Sequence, residues 1–454
     1  MAKRVGMGVI ALVAVLVLAA CQDWAQYMGD SAHDGVATGV TFVSTSNAGS
    51  LSETWTLPVG SPTSMPVVSG GQLYVASRVG LLIAASTDGT TDCSGTPVVC
   101  QPEWTASMSG LTMTTTPAVA NGVVYEDFDS SSIPAGTLAA FDANGSTNCS
   151  GSPKVCQPLW TASATSYQGV AASGGVVYLD DVPTQQLEAF DANGVTNCAG
   201  TPAVCQPLWT ASIGALGIPT VANGRVYVAS SINGQNWVAV YDAAGNTGCS
   251  GSPKVCQPLW KAAMPYPGDG SVDVSGGRAF VETQSQLSND PTLVAFDAGG
   301  ATNCSGSPVV CQPLWTAHLG GAPQTNTPAV SGGRVYTASS SDPGAVEAFD
   351  AAGSAGCSGT PVVCLPLWYS AASTTSITWQ SPMIVNGLVV DSGQIYDANG
   401  VLGCSTATVP ICSPLWSVPG PGSATHLVQQ AIDQNTLFIS ESDGAVHAFR
   451  IPAN

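Results

Sequence analysis

The chain has 454 residues, of which 44% are hydrophobic and only 9% are Asp, Glu, Lys or Arg, with 51 glycines and 31 prolines. That length predicts two or three ordinary domains, and the apolar share excludes a disordered polar chain. Ten basic residues against 29 acidic ones give a formal charge of −19, a surface that repels phosphate backbones and argues against nucleic acid as a partner.

At the N-terminus, Lys3 and Arg4 precede an apolar run ending in Leu18-Ala19-Ala20-Cys21. A short basic region, an apolar stretch and small residues before a cut form an export signal. The last four residues resemble the lipobox of bacterial lipoproteins, which implies a signal peptide over 1–20 and lipidation of Cys21. An ordinary secretory signal and an uncleaved anchor are the alternatives. The expectation is an exported protein held on the extracytoplasmic side of a membrane by its lipid, since two acyl chains suffice for stable anchoring. Residues 21–50 carry few strand signals and read as a lead-in, in part a tether.

From there on the chain repeats. The segment AFDANGSTNCSGSPKVCQPLWTAS around Trp160 recurs around Trp209, Trp260 and Trp315, with looser copies at Trp104, Trp368 and Trp416. Trp55 is an eighth member without the upstream part. Each unit holds three further strand-like runs, for example IPTVAN (218–223), GRVYVAS (224–230) and NWVAVYDA (236–243). Asn223-Gly224, and Asn-Gly or Gly-Gly at matching places, join the first two runs as tight hairpins. Long amphipathic helical patterns are absent, so the fold class is all-β, with four-stranded antiparallel units recurring at about fifty residues, the signature of propeller blades. At the far end, THLVQQAI (425–432), TLFISES (436–442) and GAVHAFRI (444–451) supply only three strands. The orphan Trp55 strand complements them. The reading is one domain over 51–454, an eight-bladed β-propeller closed by an N-terminal strand in its last blade.

Fourteen further cysteines fall in local pairs: Cys93/Cys100, Cys149/Cys156, Cys198/Cys205, Cys249/Cys256, Cys304/Cys311, Cys357/Cys364 and Cys404/Cys412. In an exported chain an even, locally paired count implies seven disulfide hairpins. Zinc is the alternative, but the spacing is not CxxC and histidine companions are missing. These loops join the third and fourth strands and are expected to trim the disc face that carries the Asn-Gly turns.

The unit PAVANGxVYVAS…xLxAFDAxG…PLW resembles the repeat of β-propellers related to pyrroloquinoline quinone (PQQ) enzymes. The resemblance covers roughly 51–454, and Trp24-Ala25-Gln26-Tyr27-Met28-Gly29-Asp30 is similar to the lead-in of such chains. It implies the propeller fold and two kinds of function. One is a binding scaffold, as in the propeller lipoprotein of the outer-membrane barrel-assembly machine; the cysteine loops depart from that pattern. The other is a PQQ- and calcium-dependent oxidoreductase, which would need cationic partners for the quinone's three carboxylates. Beyond the signal the chain offers eight cations: Arg78, Lys154, Arg225, Lys254, Lys261, Arg278, Arg334 and Arg450. Only Arg78 is expected near the channel mouth opposite the disulfides.

Other chemistry finds little support. The four histidines, His33, His318, His426 and His447, are scattered, and neither GxSxG nor HExxH occurs. His447 alternates with Val446 inside a strand and reads as packed. Asp142-Ala-Asn144-Gly-Ser146-Thr-Asn148 spaces oxygens as calcium loops do, yet an Asp before Gly at a strand end also makes a side-chain-capped turn. Asp127, Asp129, Tyr167, Gln168, Asp180, Asp181, Tyr266, His318, Trp379, Gln380 and His426 fall in loops opposite the disulfides. They are either ordinary solvated loops or a recognition face for a protein or carbohydrate. The eight blade tryptophans are expected to pack between blades. The functional reading is a non-catalytic envelope binding protein without cofactor or metal, with the oxidoreductase as alternative.

Overall fold

In a computed structural model, the described residues are 23–60, 64–77, 79–108, 111, 113–129, 136–166, 168–214, 217–232, 235–267, 270–283, 291–320, 326–338, 346–371, 381–419 and 429–452. They form eight small sheets arranged as the blades of a β-propeller. Blade 2 is representative: Ala118–Ala120, Val123–Asp129, Thr137–Asp142 and Trp160–Ser163 run from the axis to the rim. Each strand is antiparallel to the one before it. Asn121 takes φ 52° and Gly122 φ 76°, the left-handed pair that the tight hairpin requires. Turns of this kind and the connections between third and fourth strands lie on one face of the disc, here the turn face. The remaining connections make the opposite, loop face.

The ring closes as the strand count requires. Ser52–Pro58 pairs antiparallel with Ala445–Arg450, so the first outer strand completes the last blade. Trp55 packs against Phe438 of that blade, with ring centroids 5.7 Å apart.

All seven cysteine pairs are disulfide-bonded. Their placement differs from the expected face trim. Each hairpin leaves its own blade and adds, in parallel, to the outer strand of the preceding one. Lys154, Val155 and Cys156 pair with Trp104, Thr105 and Ala106, and Ile411 and Cys412 pair with Tyr369 and Ser370. Thus the hairpins are rim strands that stitch neighbouring blades and cover edges otherwise open to aggregation.

The two halves of each bridge also differ, which the expectation of surface trim did not allow for. The first cysteine of every pair is half-buried, but Cys100, Cys156, Cys205, Cys256, Cys311, Cys364 and Cys412 are all buried. The parallel pairing turns the second cysteine inward, against the tryptophan of the blade it joins. Cys100 shares a core cluster with Trp55, Cys205 with Trp160, Cys256 with Trp209, Cys311 with Trp260 and Cys364 with Trp315. The second sulfur of each bridge is therefore a core group, and not exposed decoration.

The Trp416–Ser417 strand receives no such hairpin, because the unit that follows it is completed by the cysteine-free N-terminal strand. Replacing Cys149 and Cys156 together by serine is expected to cost about 2–3 kcal/mol from the small loop's closure entropy. Urea unfolding reads this directly; an unchanged midpoint would show that strand pairing alone holds the hairpin.

The repeated Asp-Ala-x-Gly turn acts as a socket for the preceding blade. Trp104 Nε1 and Tyr74 Oη both donate to the Ala143 carbonyl, at 3.2 and 3.1 Å. The Trp160/Tyr125, Trp209/Tyr178 and Trp368/Tyr336 pairs do the same to Ala192, Ala243 and Ala398. A Cβ on Gly145 would stand 2.2 Å from Trp104 Cδ1, so glycine is required there by the indole as well as by its φ of +58°. At the closing contact arginine takes over. Arg450 donates to the Thr87 and Asp88 carbonyls, at 2.6 and 3.0 Å, while Trp55 Nε1 is buried without a partner. Arg450→Gln is expected to cost about 1–3 kcal/mol and to lower the unfolding midpoint; no change would deny the seam this role.

The lead-in is built into the propeller rather than left as a tether. Val68, Val119, Val274, Val330 and Ile384, each in the innermost strand of a different blade, donate N–H bonds of 2.7–3.1 Å to the carbonyls of Trp24, Ala25, Ala32, Asp34 and Gly35. Gln26 bonds both backbone groups of Ala172, and Val221 N–H reaches the Ser31 carbonyl. Val36–Ala37 then pairs in parallel with Ile384 and Val385. The segment therefore visits blades 1 to 7 in order and satisfies inner-strand donors that would otherwise face the channel. Tyr27 and His33 meet edge-on within it, 5.2 Å apart.

Candidate functional site

The loop face carries the candidate residues, and their environments diverge. Asp127 and Asp180, from the second strands of blades 2 and 3, are buried rather than solvated, at 0% and 2% exposure. Their carboxylates organise the loop leading into blade 3. Ser166 N–H donates to Asp127 Oδ2 at 2.8 Å, Ser166 Oγ–H to Asp180 Oδ1 at 2.7 Å, and Gly217 N–H to Asp180 Oδ2 at 3.3 Å. Asp181 accepts Thr165 N–H at 2.8 Å and the Thr184 hydroxyl. Asp129 is buried as well. Gln168 and Tyr266 are half-buried, and His318 is exposed at the end of the strand Trp315–His318 rather than in a loop. Tyr167, Trp379, Gln380, His426 and Arg78 lie outside the described residues, as does Cys21.

Burial pushes the Asp127 carboxyl well above the usual range; the Ser166 bond works against this, and Asp129, Asp180 and Asp181 add to it. Asp180 is pushed up to about 7, chiefly by burial. Sequence reading missed several companions. Glu126, Asp273, Glu282, Glu347 and Asp391 are also buried. Asp127 Oδ1, Glu126 Oε2, Glu282 Oε1, Asp391 Oδ1 and both Asp273 oxygens lack hydrogen-bond partners. Polar residues in otherwise apolar strand runs were the available signal, visible at Glu126-Asp127 and Leu179-Asp180. Perturbed carboxyls can mark catalytic sites, but here they are closed from solvent, and those of Asp127, Asp180 and Asp181 hold loop backbone in place.

The Asp142 carboxylate shows the capped turn in place of a calcium loop. Its Oδ2 accepts N–H bonds from Ser146 and Thr147, at 3.0 and 2.6 Å, and its Oδ1 accepts from Asn144 at 3.2 Å. Partial burial pulls its pKa upward, but those donors win and hold it well below the ordinary carboxylate range. Among the described residues, Glu441, Asp443 and His447 bring possible ligand atoms within 4.8 Å of one another. His447 is not simply packed. Its Nδ1 faces Glu53 Oε1 at 3.2 Å and its Nε2 faces Asp443 Oδ2 at 3.0 Å, across the closing strands. With a carboxylate facing each ring nitrogen, His447 ties the closing strand to Glu53 and to the Asp443 turn.

A quinone with three carboxylates does not fit the described residues. Lys154 and Lys254 donate to the Gly145 and Gly245 carbonyls, Lys261 lies over the Trp237 ring, and Arg450 is committed to the seam. Arg225, Arg278 and Arg334 start second strands on the turn face. Toward the loop face the buried charged side chains among the described residues are carboxylates, the wrong sign for such a guest.

A family model described as outer membrane protein assembly factor BamB matches residues 206–452. No curated protein matches the sequence. Among solved structures, BamB from Moraxella catarrhalis is similar at 13% identity and a TM-score of 0.53, over 88% of this chain and 99% of that one. The computationally designed Ika8 protein is similar at 12% identity and a TM-score of 0.56, again over 88% and 99% of the two chains. A Dos1 propeller is similar at 10% identity and 0.53, over 89% of this chain and 96% of that one. Likeness at such identities speaks for the propeller fold alone.

Proposed function

Because the chain belongs to the family of outer membrane protein assembly factor BamB, we propose that it is a non-catalytic binding or scaffold propeller of the cell envelope. In this reading it is exported, anchored through Cys21, and presents its loop face to a protein or carbohydrate partner. One observation carries the reading. The lead-in from Trp24 to Ala37 lines the axis of the ring, and the carboxylates of blades 2 and 3 are sealed beneath loop backbone. That arrangement spends its polar chemistry on shaping loop backbone, while Tyr266 stays half-buried and His318 exposed toward that face. The seven disulfides and the export signal favour an extracytoplasmic location.

The test is a pull-down from detergent-solubilised envelope with the full chain. It is expected to recover one stoichiometric partner, and the double variant Tyr266→Ala/His318→Ala is expected to lower recovery about tenfold, as loss of an aromatic anchor does. Turnover of an alcohol or aldose after reconstitution with PQQ and Ca²⁺ would overturn the reading in favour of an oxidoreductase.

A further inference from the structure

Three blades begin their second strand with arginine, and register puts the three at one repeat position: Arg225 opposite Asp242, Arg278 opposite Asp297, Arg334 opposite Asp350. Two of them are engaged with the next blade's turn. Arg225 Nη1 donates to the Ala298 carbonyl at 2.8 Å, and Arg334 Nη1 to Asn399 Oδ1 at 3.2 Å. Arg278 is different. The corresponding carbonyl, on Ala351, accepts the Trp315 indole at 3.2 Å, and Arg278 Nε is buried without a hydrogen-bond partner. Blade 5 also carries Phe280 where blades 1 to 4 and 6 carry a tyrosine hydroxyl, so that side of the socket is apolar.

The guanidinium instead borders a cleft of about 440 Å³ between blades 5 and 6 on the turn face. Phe280 and Val330 give it an apolar lining, and Asp34 of the lead-in and Asp350 bring negative charge to it. The Gly276 and Gly332 turns also line it, and an added Cβ on either would meet nothing within 4 Å. Cavities of this size take small molecules, and buried polar atoms left unpaired in them dictate what the guest must supply. An unpaired guanidinium calls for a carboxylate. Asp350 already fills both oxygens within its own turn, but Asp34 accepts a single backbone bond, from Val36 at 2.9 Å. Burial first, and then Asp30, push the Asp34 carboxyl up to about 6, a group that a neighbouring cation would relieve.

We propose that this cleft binds a small zwitterion with an apolar body, a free apolar amino acid or a short apolar peptide, its carboxylate on Arg278 and its ammonium on Asp34. A dianion would meet two carboxylates, and a plain cation would leave the guanidinium unpaired. The cleft lies on the turn face, so it stands or falls independently of partner docking on the loop face.

Calorimetric titration of the full disulfide-bonded chain tests this with four probes: leucine, leucyl-leucine, isovalerate and isobutylamine. At least one zwitterion is expected to saturate the site at millimolar concentrations or below, and the stronger of the two tells amino acid from peptide. Each single-charge probe is expected to bind at least tenfold more weakly. Arg278→Gln and Asp34→Asn are each expected to weaken the zwitterion about tenfold or more, while Arg225→Gln, the engaged copy, changes nothing. No saturation by either zwitterion, or an affinity unmoved by Arg278→Gln, overturns the assignment. Should Arg278→Gln fail to fold, the natural chain decides: isovalerate binding as well as leucine does refutes the paired-charge site.

Discussion

Trp160→Ala is expected to destabilise the propeller by about 3–5 kcal/mol, the cost of emptying a fully buried indole seat. The ring removes Trp160 from water almost completely, at 2% exposure, and its Nε1 donates to the Ala192 carbonyl at 3.1 Å. Because the seat lies between two blades, the loss weakens a blade contact and not merely one sheet. Gly194→Ala tests the same seat from the other side. Its Cβ would stand 2.3 Å from Trp160 Cδ1 at a residue with φ +67°, so overpacking and backbone strain add to about 2–4 kcal/mol. Urea midpoints check both variants. If Gly194→Ala were neutral, the indole would have room to withdraw, and the turn would not be the rigid socket described above.

The second large effect is on pH. Burial pushes Asp180, Glu347 and Asp391 up to about 7 and Glu188 up to about 8, with Asp181 adding to the last. A carboxyl whose folded pKa lies above its unfolded value near 4 binds more protons in the native state over that interval. Its contribution is present in full below the unfolded value and is lost as pH rises through the folded one. Each such group contributes a slope on the order of 1.4 kcal/mol per pH unit. Partial burial pulls the His447 pKa down, but Glu441, Asp443 and Glu53 together raise it, so this group acts in the same direction. His33 opposes them: burial lowers its pKa to about 3, so stability is lost as pH falls below its unfolded value near 6.5. The carboxyls outnumber it. Thermal unfolding is therefore expected to have its highest midpoint near pH 5 and to fall toward pH 8.

Asp273 isolates one contribution. It is fully buried with both oxygens unpartnered, where the matching residues of blades 2, 3 and 6 are Ala118, Ala171 and Ala329. Burial, reinforced by Asp34 and Asp30, pushes its carboxyl well above the usual range. Asp273→Ala is expected to stabilise by at least about 2 kcal/mol at pH 8 and by less at pH 5. Destabilisation at both values would mean that the carboxylate has a partner in solution and is not an uncompensated burial.

Much of this molecule was legible as periodicity. Eight tryptophans in register, Asn-Gly and Gly-Gly turns, and cysteines seven or eight residues apart are local signals, each written within about one unit. They suffice for strand order, blade count and disulfide pairing. Closure by Ser52–Pro58 also followed from counting, because one surplus strand and one deficit admit a single pairing. The candidate site was less legible. The acids of blades 2 and 3 were visible as residues, but their burial was not, since burial depends on loops from the next blade arriving over them.

What only the tertiary structure decided is where repeated pieces go once they leave their own unit. A cysteine hairpin reads the same whether it trims a face or extends a neighbour's edge; the edge wins because the preceding tryptophan strand exposes unpaired backbone there. The lead-in reads as a tether because it lacks a strand pattern, yet seven inner strands offer it donors. Arg225, Arg278 and Arg334 are equivalent in sequence and unequal in space: Arg225 reaches the Ala298 carbonyl, Arg334 reaches the Asn399 side chain, and Arg278 Nε stays unpaired. Repetition sets the frame through short-range preferences, and departures from it are settled by which long-range partners remain unsatisfied when the ring closes.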